Sequence, residues 1–170
     1  MILDATCSFT RNWPKHATIR MDIRPEVKPD LVGDIRKTDF PDNYFDKIYL
    51  DPPHMIRSDP WIQPHDRIAI KRRLSGRRSP DSFTRYHAFK SRDEWIDFVK
   101  KTNDELFRII KSDGTIIYKC TFGKDRRYIK REDMDLMTNF IIIEEKITKS
   151  KQPGSKNKVH WFTFRPKPTI

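Results

Sequence analysis

Apolar residues in this chain come in short runs that stop abruptly, and in the first third the runs close on aspartates. Ile2 to Cys7, Ala17 to Asp22 and Asp30 to Asp34 are three such segments, and Ile48-Tyr49-Leu50 is a fourth. Short apolar runs bounded by turn residues predict buried strands. After Leu50 the chain reads Asp51-Pro52-Pro53-His54. Neither proline can donate to a sheet ladder, so the strand must stop there and hold Asp51 at its carboxyl end. Asp4, Asp22, Asp34 and Asp51 thus become a series of strand-end acids, on the edge where open α/β sheets bind ligands.

The links between these strands are compressed. Ser8 to His16 allows at most a short helical turn, Arg24 to Pro29 is short and proline-rich, and Ile35 to Phe45 reads as a loop. Parallel strands are normally joined by a dozen residues or more, usually a helix. The pattern therefore predicts a trimmed α/β fold with some crossover helices missing.

Helical periodicity begins at Ser91, an N-cap with Glu94 placed for a capping box. Trp95, Phe98, Val99, Thr102, Leu106, Ile109 and Ile110 follow at helical spacing, and Ser112-Asp113-Gly114 should end the helix. Thr115 to Cys120 reads as a fifth strand. Arg127 to Met137 reads as a second helix with Ile129, Met134 and Met137 turned inward. Phe140 to Ile143 and Val159 to Phe164 read as two closing strands, joined by a loop over Ser150 to Lys158 and expected to pair antiparallel.

Composition sharpens this frame. At 170 residues one domain over 1–170 suffices, and a sizeable core can be buried. The formal charge of +11 points to a polyanionic partner, nucleic acid first and an acidic membrane surface second. Much of that charge lies in one stretch: Met55 to Lys90 carries nine Lys or Arg against three Asp, a net of +6. This stretch, at about 55–90, reads as a basic insertion or lid. Within it Arg67, Lys71, Arg72 and Arg73 could share a short basic helix, and Arg77, Arg78, Arg85 and Tyr86 add charge and an aromatic ring, a mixture suited to nucleic acid. No apolar run approaches the length of a membrane span and no signal-peptide pattern is present, so a soluble, cytoplasmic protein is expected, in the host cytoplasm if viral. Cys7 and Cys120 read as reduced strand-end thiols, and no spacing suits a metal.

The order of these segments resembles that of class I methyltransferases dependent on S-adenosyl-L-methionine (SAM). The likeness is to small phage and prophage-type DNA amino-methyltransferases. It rests on Leu3 to Ala5, Asp22 to Glu26, Gly33 to Arg36, Phe40 to Asp46 and the Asp-Pro-Pro-His of Asp51 to His54. The resemblance implies a Rossmann-like, mostly parallel seven-stranded sheet with a C-terminal antiparallel pair and reduced crossover helices. It implies SAM as cofactor, held by Asp4, Ala5, Thr6 and Cys7 along the methionine part, Asp22 at the ribose and Asp34 at the adenine amine. Ile23 and Ile35 would sandwich the adenine, although core packing explains Ile35 equally well. Asp51 and the Pro52 carbonyl would accept hydrogens from a target amine, with Pro53 and His54 completing the catalytic motif and His54 stacking on the target ring. Ser8 and Phe9 stand where most such enzymes carry glycines.

The favoured substrate is an exocyclic amine of adenine in DNA. Other acceptors are RNA, a protein amide or a small heterocycle, and a module that binds nucleic acid without catalysis is the alternative from another class. DNA is favoured over RNA as partner, with no membrane role and a monomer or homodimer as the state.

Overall fold

The computed structural model describes residues 1–7, 14, 16–56, 89–123, 128–150 and 158–168. Seven strands form one sheet: β1 (Ile2–Asp4), β2 (Ile19–Asp22), β3 (Leu31–Val32), β4 (Phe45–Leu50), β5 (Ile110–Cys120), β6 (Phe140–Lys149) and β7 (Lys158–Pro166). Their spatial order is β3-β2-β1-β4-β5-β7-β6. The first five run parallel, whereas β7 lies antiparallel to both β5 and β6. This is the Rossmann-like, mostly parallel seven-stranded sheet with a C-terminal antiparallel pair that the resemblance implies, with β1 and β4 side by side at its centre.

Among the described residues there is one α-helix, α1 (Arg92–Ile109). Ser91 caps it by accepting a hydrogen bond from the Glu94 amide at 3.1 Å, while Glu94 reaches back to the Lys90 amide at 2.5 Å. The capping box is therefore present with its return bond displaced one residue outward. Trp95, Val99, Leu106 and Ile109 turn one stripe of α1 into a core shared with Leu3, Met21, Phe45, Ile48, Leu50, Ile116, Phe162 and Phe164.

No helix joins β3 to β4; residues 35–44 bridge them as irregular chain, and Arg108 secures that bridge. Its guanidinium donates to the carbonyls of Thr38 and Phe40 and to the carboxylates of Asp42 and Glu105. Asn43 turns the chain with φ at 53°, a conformation asparagine tolerates, and its amide donates to the Arg108 carbonyl at 2.9 Å. One charged hub thus does the positioning that a crossover helix would otherwise do for β4.

Three expectations require correction. Where a second helix was expected over 127–137, the described residues hold only a short 3₁₀ helix, Arg131–Leu136. Ile129, Met134 and Met137 are buried as expected. However, Asp133 pins the turn, accepting from the Lys130 amide and from both terminal guanidinium nitrogens of Arg92 on α1. Second, α1 ends at Ile109, and Ser112-Asp113-Gly114 belongs to an irregular start of β5. There the partner of Phe45 is Ile110 while the partner of Lys47 is already Thr115. A Cβ on Gly114 would lie 2.7 Å from the Ile110 side chain, so glycine permits the tight path. Third, β6 continues past Ile143 to Lys149. It is an edge strand with mostly exposed side chains, so apolar patterning could not reveal its length.

Candidate functional site

Parallel pairing brings the carboxyl ends of β1, β2, β3 and β4 to one edge of the sheet, and the four aspartates follow. Asp4 and Asp22 end their strands, Asp51 follows Leu50, and Asp34 lies just beyond β3. Past Asp4 the chain keeps its ladder bonds, Ala5 amide to Tyr49 carbonyl and Cys7 amide to Met21 carbonyl, both 2.9 Å. Ala5 and Cys7 are therefore buried. Thr6 faces the other way, and its hydroxyl accepts the Asp51 amide at 2.7 Å. That bond ties the tip of β1 to the start of the Asp-Pro-Pro turn.

Asp4 is the most unusual group of the edge. It is 1% exposed, and Oδ1 accepts the Thr6 amide at 3.3 Å while Oδ2 is buried without a hydrogen-bond partner. Burial pushes its carboxyl up to about 7; the Thr6 amide and the Arg20 charge pull it down, and the charges of Asp51 and Asp22 push it further up. Asp22 and Asp51 therefore each lie close enough for their charge to act on Asp4. A buried, orphaned carboxylate oxygen in that setting is suited to a cationic group.

Asp22 and Asp34 are engaged by the same local device. Each begins an Asp-Ile-Arg triplet, and in each the arginine folds back on the aspartate. Asp22 accepts from the Arg24 amide at 3.0 Å and from its guanidinium at 2.9 Å on both oxygens. Asp34 accepts from the Arg36 amide at 2.9 Å and from its guanidinium at 2.5–3.0 Å. Burial alone would raise the Asp34 carboxyl, yet the hydrogen bonds and charge of Arg36 outweigh it and hold it below its ordinary value. The isoleucines inside the triplets differ: Ile23 is 57% exposed on the edge, whereas Ile35 is 4% exposed within the core.

The Asp-Pro-Pro-His turn is anchored on both sides. The His54 carbonyl accepts the Ile129 amide at 3.3 Å, Met55 bridges to Tyr128, and Ile56 bridges to Phe89. Phe89 in turn packs against Trp95 and Phe98 of α1. The His54 ring faces the Tyr128 ring, with centroids 6.5 Å apart and planes 18° from parallel. Burial lowers the His54 pKa; the nearby Asp51 charge opposes this and the Lys119 charge adds to it, so the ring is held neutral.

Sequence reasoning overlooked several neighbours of this turn. Lys119 donates from Nζ to Asp51 Oδ2, and its ammonium lies 5.6 Å from the centre of the Trp161 ring. Trp161 is fixed by its own indole N–H, which donates to Thr148 at 3.0 Å. Tyr128 lies directly on Gly123, where a Cβ would come within 2.3 Å of the ring. Some signals were available: the repeated Asp-Ile-Arg, and a lysine set between Tyr118 and Cys120 directly after the apolar run Ile116-Ile117-Tyr118.

Arg67, Lys71, Arg72, Arg73, Arg77, Arg78, Arg85 and Tyr86 lie outside the described residues, as does most of the basic insertion. Cys7 and Cys120 are both buried, and burial pushes the Cys120 thiol well above its ordinary value. Among the described residues no group of three or more His, Cys, Asp or Glu could hold a metal, and no helix is long and apolar enough to cross a membrane.

No family model matches this chain, and no curated protein matches it. Solved structures do. A SAM-dependent methyltransferase from Methanosarcina mazei superposes with a TM-score of 0.59 at 10% identity, over 97% of this chain and 91% of the other. A putative type 11 methyltransferase from Sulfolobus solfataricus gives 0.54 at 16% identity, over 99% and 85%. The cyclase SpnF gives 0.57 at 9% identity, over 97% and 74%. At these identities the likeness is one of fold.

Proposed function

We propose that this chain is a SAM-dependent methyltransferase acting on an exocyclic amine of a nucleic-acid base, with adenine in DNA as the favoured target. The observation that carries the reading is the closeness of two unlike carboxylates at the carboxyl ends of adjacent strands. Asp4 is buried with an orphaned oxygen suited to a cation, and Asp51 opens an Asp-Pro-Pro-His turn beside it. The fold is shared with proteins described as SAM-dependent methyltransferases, and a cyclase shares it too.

The residues present fit the cofactor. Asp4 would hold its ammonium, Asp22 its ribose hydroxyls and Asp34 its adenine amine, while exposed Ile23 offers an apolar face to the adenine. When bound, SAM supplies a methyl group already activated by a sulfonium, so the chain needs no nucleophile of its own. Its task is positioning. Asp51 and the Pro52 carbonyl accept the hydrogens of the target amine and so turn the nitrogen lone pair toward the methyl carbon. Neutral His54 offers a ring face for the target base, with Tyr128 beside it. A base within a duplex must be flipped out to reach that turn. The +11 charge provides attraction to the backbone, and affinity should fall as salt rises.

Transfer of labelled methyl from SAM to DNA and RNA pools, followed by nucleoside digestion, tests this reading. Label in N6-methyldeoxyadenosine from the DNA pool is the expected result. Label recovered only from RNA, protein or a small heterocycle would replace the acceptor. Absence of SAM binding by calorimetry would sink the enzyme reading and leave the nucleic-acid-binding module.

A further inference from the structure

The geometry points to Lys119 as a positioning residue that holds Asp51 in register for the target amine, and this inference rests on the function proposed above. The strand register places it there. Leu50 pairs with Tyr118 across the parallel β4–β5 ladder, so the next rung sets Asp51 beside Lys119. Alternation along β5 buries Tyr118 and Cys120 on one face and sends Lys119 to the other.

The contact is specific in what it occupies. Lys119 Nζ donates to Oδ2 of Asp51, while the Asp51 amide is held by Thr6. Backbone and one carboxylate oxygen are therefore fixed from two different strands, and Oδ1 is the oxygen left to meet a substrate hydrogen. Lysine is held in its turn. On the antiparallel side its rung partner is Trp161, whose ring backs the ammonium at 5.6 Å. A cation held over an indole face gains electrostatic attraction that a solvated lysine does not have. The pair is partly shielded, with side chains 28% and 19% exposed for Lys119 and Asp51.

Charge makes the lysine necessary as well as convenient. Asp51 lies near enough to Asp4 for their charges to interact and has neutral His54 within its own turn, and neither offers it a positive charge. Lys119 supplies that charge by direct contact. Without it the carboxylate would rotate away from its acidic neighbour and lose the orientation a target amine needs. Displacement of about 1 Å in such a group costs roughly a hundredfold in rate.

Lys119→Met, Lys119→Arg and Asp51→Asn test the assignment with an adenine-containing oligodeoxynucleotide as acceptor. SAM affinity by calorimetry should stay within about threefold of wild type in Lys119→Met. Its kcat should fall by about a hundredfold, with KM for the oligonucleotide little changed. Lys119→Arg should recover most of the rate, since it keeps the charge. In the unliganded protein, adding Lys119→Met to Asp51→Asn should lower the melting temperature less than adding it to wild type, a readout independent of activity. Wild-type kcat in Lys119→Met, no recovery with arginine, or a loss confined to KM would each overturn the assignment, the last by making Lys119 a nucleic-acid contact. If wild type itself fails to bind SAM, the proposed function falls and the catalytic role of Lys119 with it, while the melting cycle still reports whether the pair exists.

Discussion

Replacing Asp4 by asparagine isolates the cost of burying a carboxylate at the centre of the sheet edge. The folded carboxyl titrates at about 7 against an ordinary value of 3.8, chiefly through burial. Below 3.8 both folded and unfolded chains are protonated at this position, so nothing is lost. Between 3.8 and 7 the unfolded chain ionises while the folded one does not, and stability falls as pH rises; above 7 the loss is complete. That interval, at about 1.4 kcal/mol per pH unit, corresponds to roughly 4 kcal/mol. An asparagine side chain cannot titrate and escapes this loss. It keeps an oxygen for the Thr6 amide, but its NH₂ would replace the orphaned Oδ2, at a pH-independent cost of about 1–3 kcal/mol. Asp4→Asn should therefore be less stable than wild type at pH 4 and more stable at pH 8. Urea unfolding at each pH reads the difference, which should move by roughly 4 kcal/mol in favour of the variant across that range. Ionisable groups far from Asp4 cancel between the two proteins, and its charged neighbours Arg20, Asp22 and Asp51 add a contribution smaller than that of burial. A difference that stays constant with pH, or moves the opposite way, would refute the reasoning.

Binding should show the same linkage in mirror image: SAM affinity of wild type should rise with pH up to about 7 and then level, because a cation favours ionised Asp4, and calorimetry on Asp4→Asn should show a flat profile. Ile35→Ala should cost about 2–5 kcal/mol in urea unfolding, whereas Ile23→Ala should change stability by less than about 0.5 kcal/mol while weakening SAM binding. Gly123→Ala should push the Tyr128 ring off its seat, costing about 1–3 kcal/mol of stability and raising KM for the oligonucleotide. Asp133→Ala should cost about 1–3 kcal/mol by thermal unfolding, since it strips the Lys130 amide and Arg92 of their shared acceptor.

The sheet was legible in the sequence because β1, β2 and β4 are short and largely buried and end on marked residues, whereas β3, exposed at the sheet edge, shows only through its two apolar letters and the acid that follows. The Pro52-Pro53 stop, the aspartate after each run and the Ser91 cap are local signals, and local signals survive in a linear reading. Among the described residues, the missing crossover helices between β2 and β3 and between β3 and β4 were legible too, because short links leave no room for them. What failed was length and partnership. Residues 131–136 are shaped by a contact between Asp133 and Arg92, far away in sequence, which no periodicity encodes. The far half of β6 carries Glu144, Glu145 and Lys146, because an edge strand has a face that need not be apolar. The acids of the site were visible as letters, but the charges that balance them were not. Arg24 and Arg36 follow two residues behind their partners and could have been noticed; Lys119 meets Asp51 only once β4 and β5 are aligned.

The placement of β7 also governs how the molecule can be made. It lies between β5 and β6, so a chain emerging from the ribosome has β5 and β6 available but cannot join them until residues 158–166 appear. Until then β5 presents an unpaired backbone edge, and the core lacks Phe162 and Phe164, both fully buried at the end. Such edges recruit other strands. A nascent chain halted before residue 158 should therefore be the aggregation-prone species, and the step that completes the sheet is also the one that covers β5.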